Sequence, residues 1–335
     1  FFTYGSLTGD NFTTNSVVQI GGIAVSTTYV SEQQLSAVVD SDLLAIGLRS
    51  AVTVRTPEAD NPVTAPQTLF ILEQGEQVYF DNFNRPNSPN LGNGWTEKAE
   101  EVFNLVNGTV SGGSTPVQGF NHVITYRPAP EDALNVEVGM EFVRTPGASS
   151  LYPQVHARVQ RDTVSEPGWL SSYTLFFDSY SSPGQMHITP IDNWEEFYIA
   201  TWDLTEAFME GERYRLRFIV SGTDPVQMIG YMERLNVDYW QVVASGTVLH
   251  DENSQPVQGG FCNSTGMIPP ITLSGSTGFA KWRDPSDNYD NFYTITTNAQ
   301  PNPVPAITTL SPNSLPEGSP GFTLVLNGSG FVPGA

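Results

Sequence analysis

The chain has one cysteine, Cys262, so no internal disulfide braces it. Its neighbours "GGFCNSTG" predict a loop with a lone, half-buried thiol. Cations are scarce: 14 Lys and Arg stand against 35 Asp and Glu, a formal net charge of −21. That balance argues against nucleic acid and anionic membranes as partners. No run approaches the roughly 18 apolar residues of a membrane-spanning helix. The opening "FFTYGS" lacks a signal-peptide pattern and a Met, which reads as processing or as a window from something longer. Long helical periodicity is scarce too, and the best candidate helix is the short "WDLTEAFMEGE", Trp202–Glu212. Catalytic signatures are missing: there is no G-x-S-x-G, no phosphate loop and no H-E-x-x-H. The four histidines, His122, His156, His187 and His250, are dispersed without metal-ligand spacing.

What is present is alternation. With hydrophobic content at 39% of 335 residues, the chain can build packed cores for two or three domains. "YRLRFIV" puts Tyr214, Leu216, Phe218 and Val220 on one face and Arg213, Arg215 and Arg217 on the other, the pattern of a half-buried antiparallel strand. "NVEVGMEFV", "VHARVQ", "YTLFF", "AVTVRT" and "FYTITT" alternate in the same way. Punctuated by 30 Gly and 25 Pro, these runs predict an all-β chain. "EQGEQ", 73–77, and the Pro-rich "NAQPNPVPA", 298–306, mark boundaries. The expected organisation is a small β-sandwich over 1–72, a large one over 78–297, a stiff linker over 298–304, and the first two strands of a further domain over 305–335.

The two ends match each other. "LTGDNFTTNS", Leu7–Ser16, aligns with "LNGSGFVPGA", Leu326–Ala335, at an offset of 326 − 7 = 319. Leu7, Gly9 and Phe12 fall on Leu326, Gly328 and Phe331. The C-terminal copy has a preceding strand, "PAITTLSPNS", that the N-terminal copy lacks. Two versions of the chain fit this. In one it is a period of a longer tandem protein. In the other its C-terminal strand completes the N-terminal domain of the next molecule, which grows a filament.

On "LTGDNFTTNSVVQIGG", "STTYVSEQQLSAVV" and "SAVTVRTP", the first domain resembles an IPT/TIG domain, an immunoglobulin-like sandwich. "PAITTLSPNSLPEGSPGFTLVLNGSGFVPGA" resembles the first two strands of another, with Ile307, Leu310, Phe322, Leu324, Leu326 and Phe331 as the apolar residues available between repeats or subunits. "VYFDNFNRPNSPNLGNGWT", "GERYRLRFIVSG" and "GFAKWRDPSDNYDNFYTITT" resemble strands of a concanavalin A-like, laminin G-like jelly roll. That resemblance implies that the first and last strands lie side by side, with "FDNF" near "YDNF". It also implies a structural calcium near Asp81 or Asp290, with Asp284 and Asp287 as further oxygen ligands. A solvated acidic loop is the alternative for the same residues.

Jelly-roll hydrolases commonly place carboxylates as E-x-D-x-E on one strand; that triplet is missing here. Glu195 and Glu196 are adjacent, so they point to opposite faces of a strand and read as solvent-facing charge. No enzymatic activity and no required cofactor are expected. Among Trp95, Trp169, Trp194, Trp202, Trp240 and Trp282 a sugar-stacking platform is one option and core filling the other, with Tyr239-Trp240 read as packing. Asn11, Asn107, Asn263 and Asn327 are glycosylation sequons. The reading favoured is the structural repeat unit of an extracellular filament whose partners are further copies of itself. A carbohydrate-binding adhesin module that takes glycans is the alternative, and a polysaccharide-active enzyme the third.

Overall fold

The computed structural model describes residues 2–44, 49–57, 59, 62–73, 75–97, 103–112, 123–127, 133–144, 152–161, 169–179, 183–192, 195–258, 260–262, 264, 267–281, 287–297, 306–311, 314 and 325–329. The chain is all-β and falls into two compact units, Phe1–Thr297 and Asn298–Ala335.

The first unit opens with a small sandwich. Its strands are β1 (Phe2–Thr8), β2 (Val17–Ile20), β3 (Ile23–Ala24), β4 (Ser26–Ser31), β5 (Gln34–Asp40), β6 (Arg49–Arg55) and β7 (Gln67–Phe70). They form a three-stranded sheet, β1-β5-β4, and a four-stranded sheet, β3-β2-β6-β7. Period-2 burial along β5 sends Leu35, Ala37 and Val39 inward against Val18, Ile20 and Val54. Phe12 is buried against Gly9, where a Cβ would lie 2.7 Å from its ring, so the Gly-x-x-Phe spacing is a packing requirement. Gly21 and Gly22, at φ +56° and +79°, make the β2–β3 hairpin.

The rest of the first unit is a larger sandwich. Its strands are β8 (Glu76–Asp81), β9 (Thr96–Glu97), β10 (Phe103–Val106), β11 (Thr109–Gly112), β12 (Val123–Arg127), β13 (Val136–Arg144), β14 (Gln154–Arg161), β15 (Trp169–Asp178), β16 (Gln185–Asp192), β17 (Glu195–Glu196), β18 (Ala200–Asp203), β19 (Arg213–Ser221), β20 (Val226–Asn236), β21 (Tyr239–His250), β22 (Ser276–Lys281) and β23 (Asp287–Thr297). One sheet runs β10-β11-β23-β13-β19-β20-β21 with β8 on β23, and the other runs β17-β16-β15-β14-β22-β12-β9 with β18 on β16. One apolar core fills the space between them, including Met140, Phe142, Leu175, Phe177, Leu216 and Phe218. The first and last strands do pair, with Asp81 opposite Phe292 and Phe80 opposite Tyr293.

Three local expectations fail. Trp202–Glu212 is not a helix: it opens in strand β18, and Trp202 packs where any Cβ on Gly246 would clash with its ring. Tertiary packing overrides a short helical pattern here. Cys262 is exposed rather than half-buried, in a short segment tied to the sheet by an isolated bridge to Phe197. Glu196 is 8% exposed rather than solvated, since β17 pairs onto β16.

The second unit, by itself, shows an antiparallel pair, β24 (Ala306–Ser311) and β25 (Val325–Ser329). Phe322, Leu324 and Phe331 lie outside the described residues, as does the linker over 298–304.

Candidate binding site

The arginine face of β19 is not solvated. The small sandwich lies over it, and charged and aromatic groups fill the contact. Arg49, from β6, donates through Nε and Nη2 to both oxygens of Glu137 at 3.1 and 3.3 Å and through Nη1 to the carbonyl of Ile71. The hydroxyl of Tyr293 donates to the same Glu137 at 2.9 Å. Phe70, from β7, packs edge-on against Tyr293 and Phe80. Arg215, 1% exposed, donates through Nε to Glu233 at 2.7 Å and through Nη2 to the backbone carbonyl of Arg49. On a second side, the Gly21-Gly22 hairpin touches Asp238 and Tyr239.

Between these contacts lies a cleft of about 440 Å³. Ile20, Ile23 and Asp42 come from the small sandwich and Arg215, Arg217, Glu233, Tyr239, Trp240 and Val242 from the large one. Its rim is apolar, with Ile23, Tyr239 and Val242 exposed by 54%, 40% and 45%. Its floor is charged. Arg215 stacks on the indole of Trp240 at 4.4 Å, and Arg217 stacks on Tyr231 at 3.9 Å. Burial pushes the Glu233 carboxyl up, but Arg215 and Arg217 outweigh it and hold the group ionised, below the usual carboxylate range. The same pairing lifts both guanidiniums against the pull of burial. Three buried donor atoms on this floor have no acceptor among the described residues: Arg215 Nη1, Arg217 Nε and Trp240 Nε1. Buried donors of this kind are normally satisfied.

Of the tryptophans, Trp95 is core, Trp202 packs against the core, and Trp240 lines the cleft. The side chains of Trp169, Trp194 and Trp282 lie outside the described residues. Of the predicted acidic ligands, Asp81 and Asp290 each have partners of their own. Asp81 is occupied by Arg85, Trp95, Asn93 and the Phe83 amide. Asp290 accepts from the Asn291 amide and from Arg213, which also bridges Glu141. Asp284 and the side chain of Asp287 lie outside the described residues, and among those described no group of three metal-ligating side chains occurs. Asn11 and Asn107 sit exposed in turns with φ +60° and +53°, whereas Asn263 and the side chain of Asn327 lie outside the described residues.

His156 on β14 and His187 on β16 belong to the second sheet and His250, at the end of β21, to the first, while His122 lies outside the described residues. His156 bonds Ser172 and Thr174, and His250 bonds Tyr173 and the Ile268 carbonyl. His187 meets Thr201, and burial pushes its imidazole down to about 4; burial lowers His250 as well. Both are held neutral in the fold, so the stability they contribute is present above about 6.5 and lost as pH falls toward 4. Asp290 acts in the opposite sense: burial and then Glu141 raise it to about 6, so its contribution is full below its ordinary value of 3.8 and lost as pH rises through 6. At about 1.4 kcal/mol per pK unit, His187 and Asp290 are each worth on the order of 3 kcal/mol and nearly cancel. Removing His187 takes away one side of that balance. Between pH 6.5 and 4 the urea midpoint of His187→Gln is therefore expected to rise relative to that of wild type, with the difference growing as pH falls. A difference that stays constant over that range would contradict a buried, neutral His187.

No protein-family model and no curated protein matches the sequence. Among solved structures the chain is similar to a carbohydrate-binding module, CBM66 from Bacillus subtilis, at 12% identity and a TM-score of 0.35, covering 61% of this chain and 92% of that one. It is similar to a mutant of the GH43 protein BlXynB from Bacillus licheniformis, at 11% identity and 0.39, covering 84% of this chain and 50% of that one. A third is the exoplasmic/lumenal domain of VIP36, in a Ca2+/Man3GlcNAc-bound form, at 11% and 0.34, covering 61% and 83%. At these similarities no residue role passes to this chain.

Proposed function

We propose that the chain is an extracellular carbohydrate-binding β module whose glycan lies in the cleft between the two sandwiches. The observation that carries this reading is the composition of the cleft, with exposed Tyr239, Ile23 and Val242 on its rim and Arg215, Arg217, Glu233 and Trp240 in its lining. A sugar answers both halves of that composition. Its hydroxyls bond to polar side chains, and its C–H faces lie against aromatic and aliphatic side chains. The reading includes no hydrolytic step. Asp42 and Glu233 both line the cleft, but Glu233 is held ionised by two guanidiniums, the wrong state for a general acid.

Wild-type protein is expected to give signals on an array of extracellular polysaccharides, and Trp240→Ala to lose at least ten-fold in affinity while keeping its melting temperature within a few degrees. A folded Trp240→Ala protein with unchanged glycan binding would remove the cleft from consideration. An array without signals would remove the function.

A second reading, the repeat unit of an extracellular fibre, is favoured by the way the two sandwiches are joined. The buried Arg49–Glu137 and Arg215–Glu233 pairs with Phe70 on Tyr293 make them one compact body, the kind of bead a load-bearing fibre needs.

A further inference from the structure

A second hollow, of about 270 Å³, lies beside the cleft, and Arg49 and Arg217 line both. The two cavities share one face of one sheet. Arg215 in the cleft and Ile219 in the hollow both stand on β19, separated by about 13 Å at 3.3 Å per residue. Arg217 lies between them on the same face, with its side chain partly exposed. Its guanidinium stacks on Tyr231, and Tyr231 pairs in register with exposed Ser245 on β21. The sheet surface therefore runs on from the cleft, past Arg217, to the hollow.

The hollow is polar where the rim of the cleft is apolar. Asn135 accepts from the Gly222 amide through Oδ1, and its Nδ2 has no partner among the described residues. Ser221 lies partly exposed at the end of β19. Exposed Glu73 and half-buried Glu76 present carboxylate oxygens, whereas Glu137 is taken by Arg49 and Tyr293. Across the two cavities Arg49, Arg215 and Arg217 are outnumbered by Asp42, Glu73, Glu76, Glu137 and Glu233, so the track is net acidic. Such a track repels a uronate or sulfated chain. It suits neutral sugars, whose hydroxyls donate to carboxylates and accept from an amide N–H.

We infer that the site takes a segment of a neutral linear polysaccharide several sugars long. One end of the segment lies in the cleft, its middle crosses the Arg217–Tyr231 pair, and its other end fills the hollow at Glu73, Asn135 and Ser221. Resting on the glycan reading of the cleft, this assigns it a second subsite and a class of ligand. A single sugar ring does not span the distance from Arg215 to Ile219. Affinity therefore grows with chain length until the hollow is occupied, and each added ring is held without a second loss of translational freedom.

The test is calorimetric titration of the full chain. The probes are size-fractionated fragments, from one sugar to six, of the polysaccharide that gives the strongest array signal. That polysaccharide is expected to be neutral, and its fragments of four or more sugars to bind about ten-fold tighter than its disaccharide. Ser221→Trp fills the hollow and is expected to bring the long fragments to within about two-fold of the disaccharide. Glu73→Ala, at an exposed position, is expected to remove part of the same advantage, and serves if Ser221→Trp does not fold. Equal affinity at every length, or a length advantage untouched by either variant, overturns the second subsite. A uronate or sulfated polymer as the strongest array ligand overturns the neutral class. An array without signals, or Trp240→Ala protein that binds every fragment as wild type does, defeats the cleft reading itself and the second subsite with it.

Discussion

Glu233→Ala is expected to lower the unfolding free energy by about 3–5 kcal/mol, which for a single side chain is exceptional. Glu233 is 5% exposed, and its two oxygens serve Arg215 at 2.7 Å and Arg217 at 3.5 Å. Removing it leaves a guanidinium with 1% exposure and only the more distant charge of Glu141, and Arg215 has no alternative carboxylate among its hydrogen-bond partners. The loss then comes from an uncompensated buried charge more than from the attraction itself. That distinction has a measurable consequence. The double variant Arg215→Met/Glu233→Leu removes the charges together and is expected to recover most of the stability lost in Glu233→Ala, because apolar replacements of a buried pair are often neutral. Urea unfolding of the three proteins reads this directly. If the double variant is as unstable as the single one, the pair is favourable in its own right and the argument from desolvation fails.

The strand Tyr214–Val220 shows how far the sequence was legible. Its alternation marks Tyr214, Leu216, Phe218 and Val220 as core, and all four are fully buried. The same alternation marks Arg213, Arg215 and Arg217 as solvent-facing, and there it misleads. A period of two reports which residues share a face, not what covers that face. The cover comes from Arg49 and Phe70, more than 140 residues away, and local patterning carries no record of it. A hint was present nonetheless: three of only 14 cations stand on one face of one strand. In a chain this acidic, such a concentration signals buried carboxylates opposite, here Glu137, Glu141 and Glu233. The adjacency of β8 and β23 followed from resemblance, whereas the cleft did not. Its residues come from β2, β3, β6, β19, β20, β21 and the turn after β5, and only the folded chain brings them together. Trp240 was assigned to packing; it does stack on Arg215, but at the floor of an open cleft.

Asp81 tests the other sequence-based assignment. Asp81→Ala is expected to cost about 3–5 kcal/mol, and by the same amount with or without calcium. Its side chain is 3% exposed. One oxygen accepts from Arg85 Nη1 at 2.7 Å and the Phe83 amide at 2.9 Å. The other accepts from Trp95 Nε1 at 2.8 Å, Arg85 Nη2 at 3.2 Å and Asn93 Nδ2 at 3.3 Å. Five donors meet a group with about four lone-pair sites, so no acceptor capacity is left for a cation. Burial alone would raise this carboxyl, yet the bonds from Arg85, Trp95 and Phe83 take it below its ordinary value. Without it, the indole N–H of Trp95 is stranded beside Phe279 and Phe292, and Arg85 is left with the carbonyl of Leu91 as its acceptor among the described residues. The turn from β8 to β9 then loses the anchor that holds it to the core. Melting curves of wild type and Asp81→Ala, each in calcium and in chelator, separate the two roles. A calcium-dependent stabilisation that disappears in the variant would make Asp81 a metal ligand, while a deficit indifferent to calcium makes it the acceptor around which that turn is built.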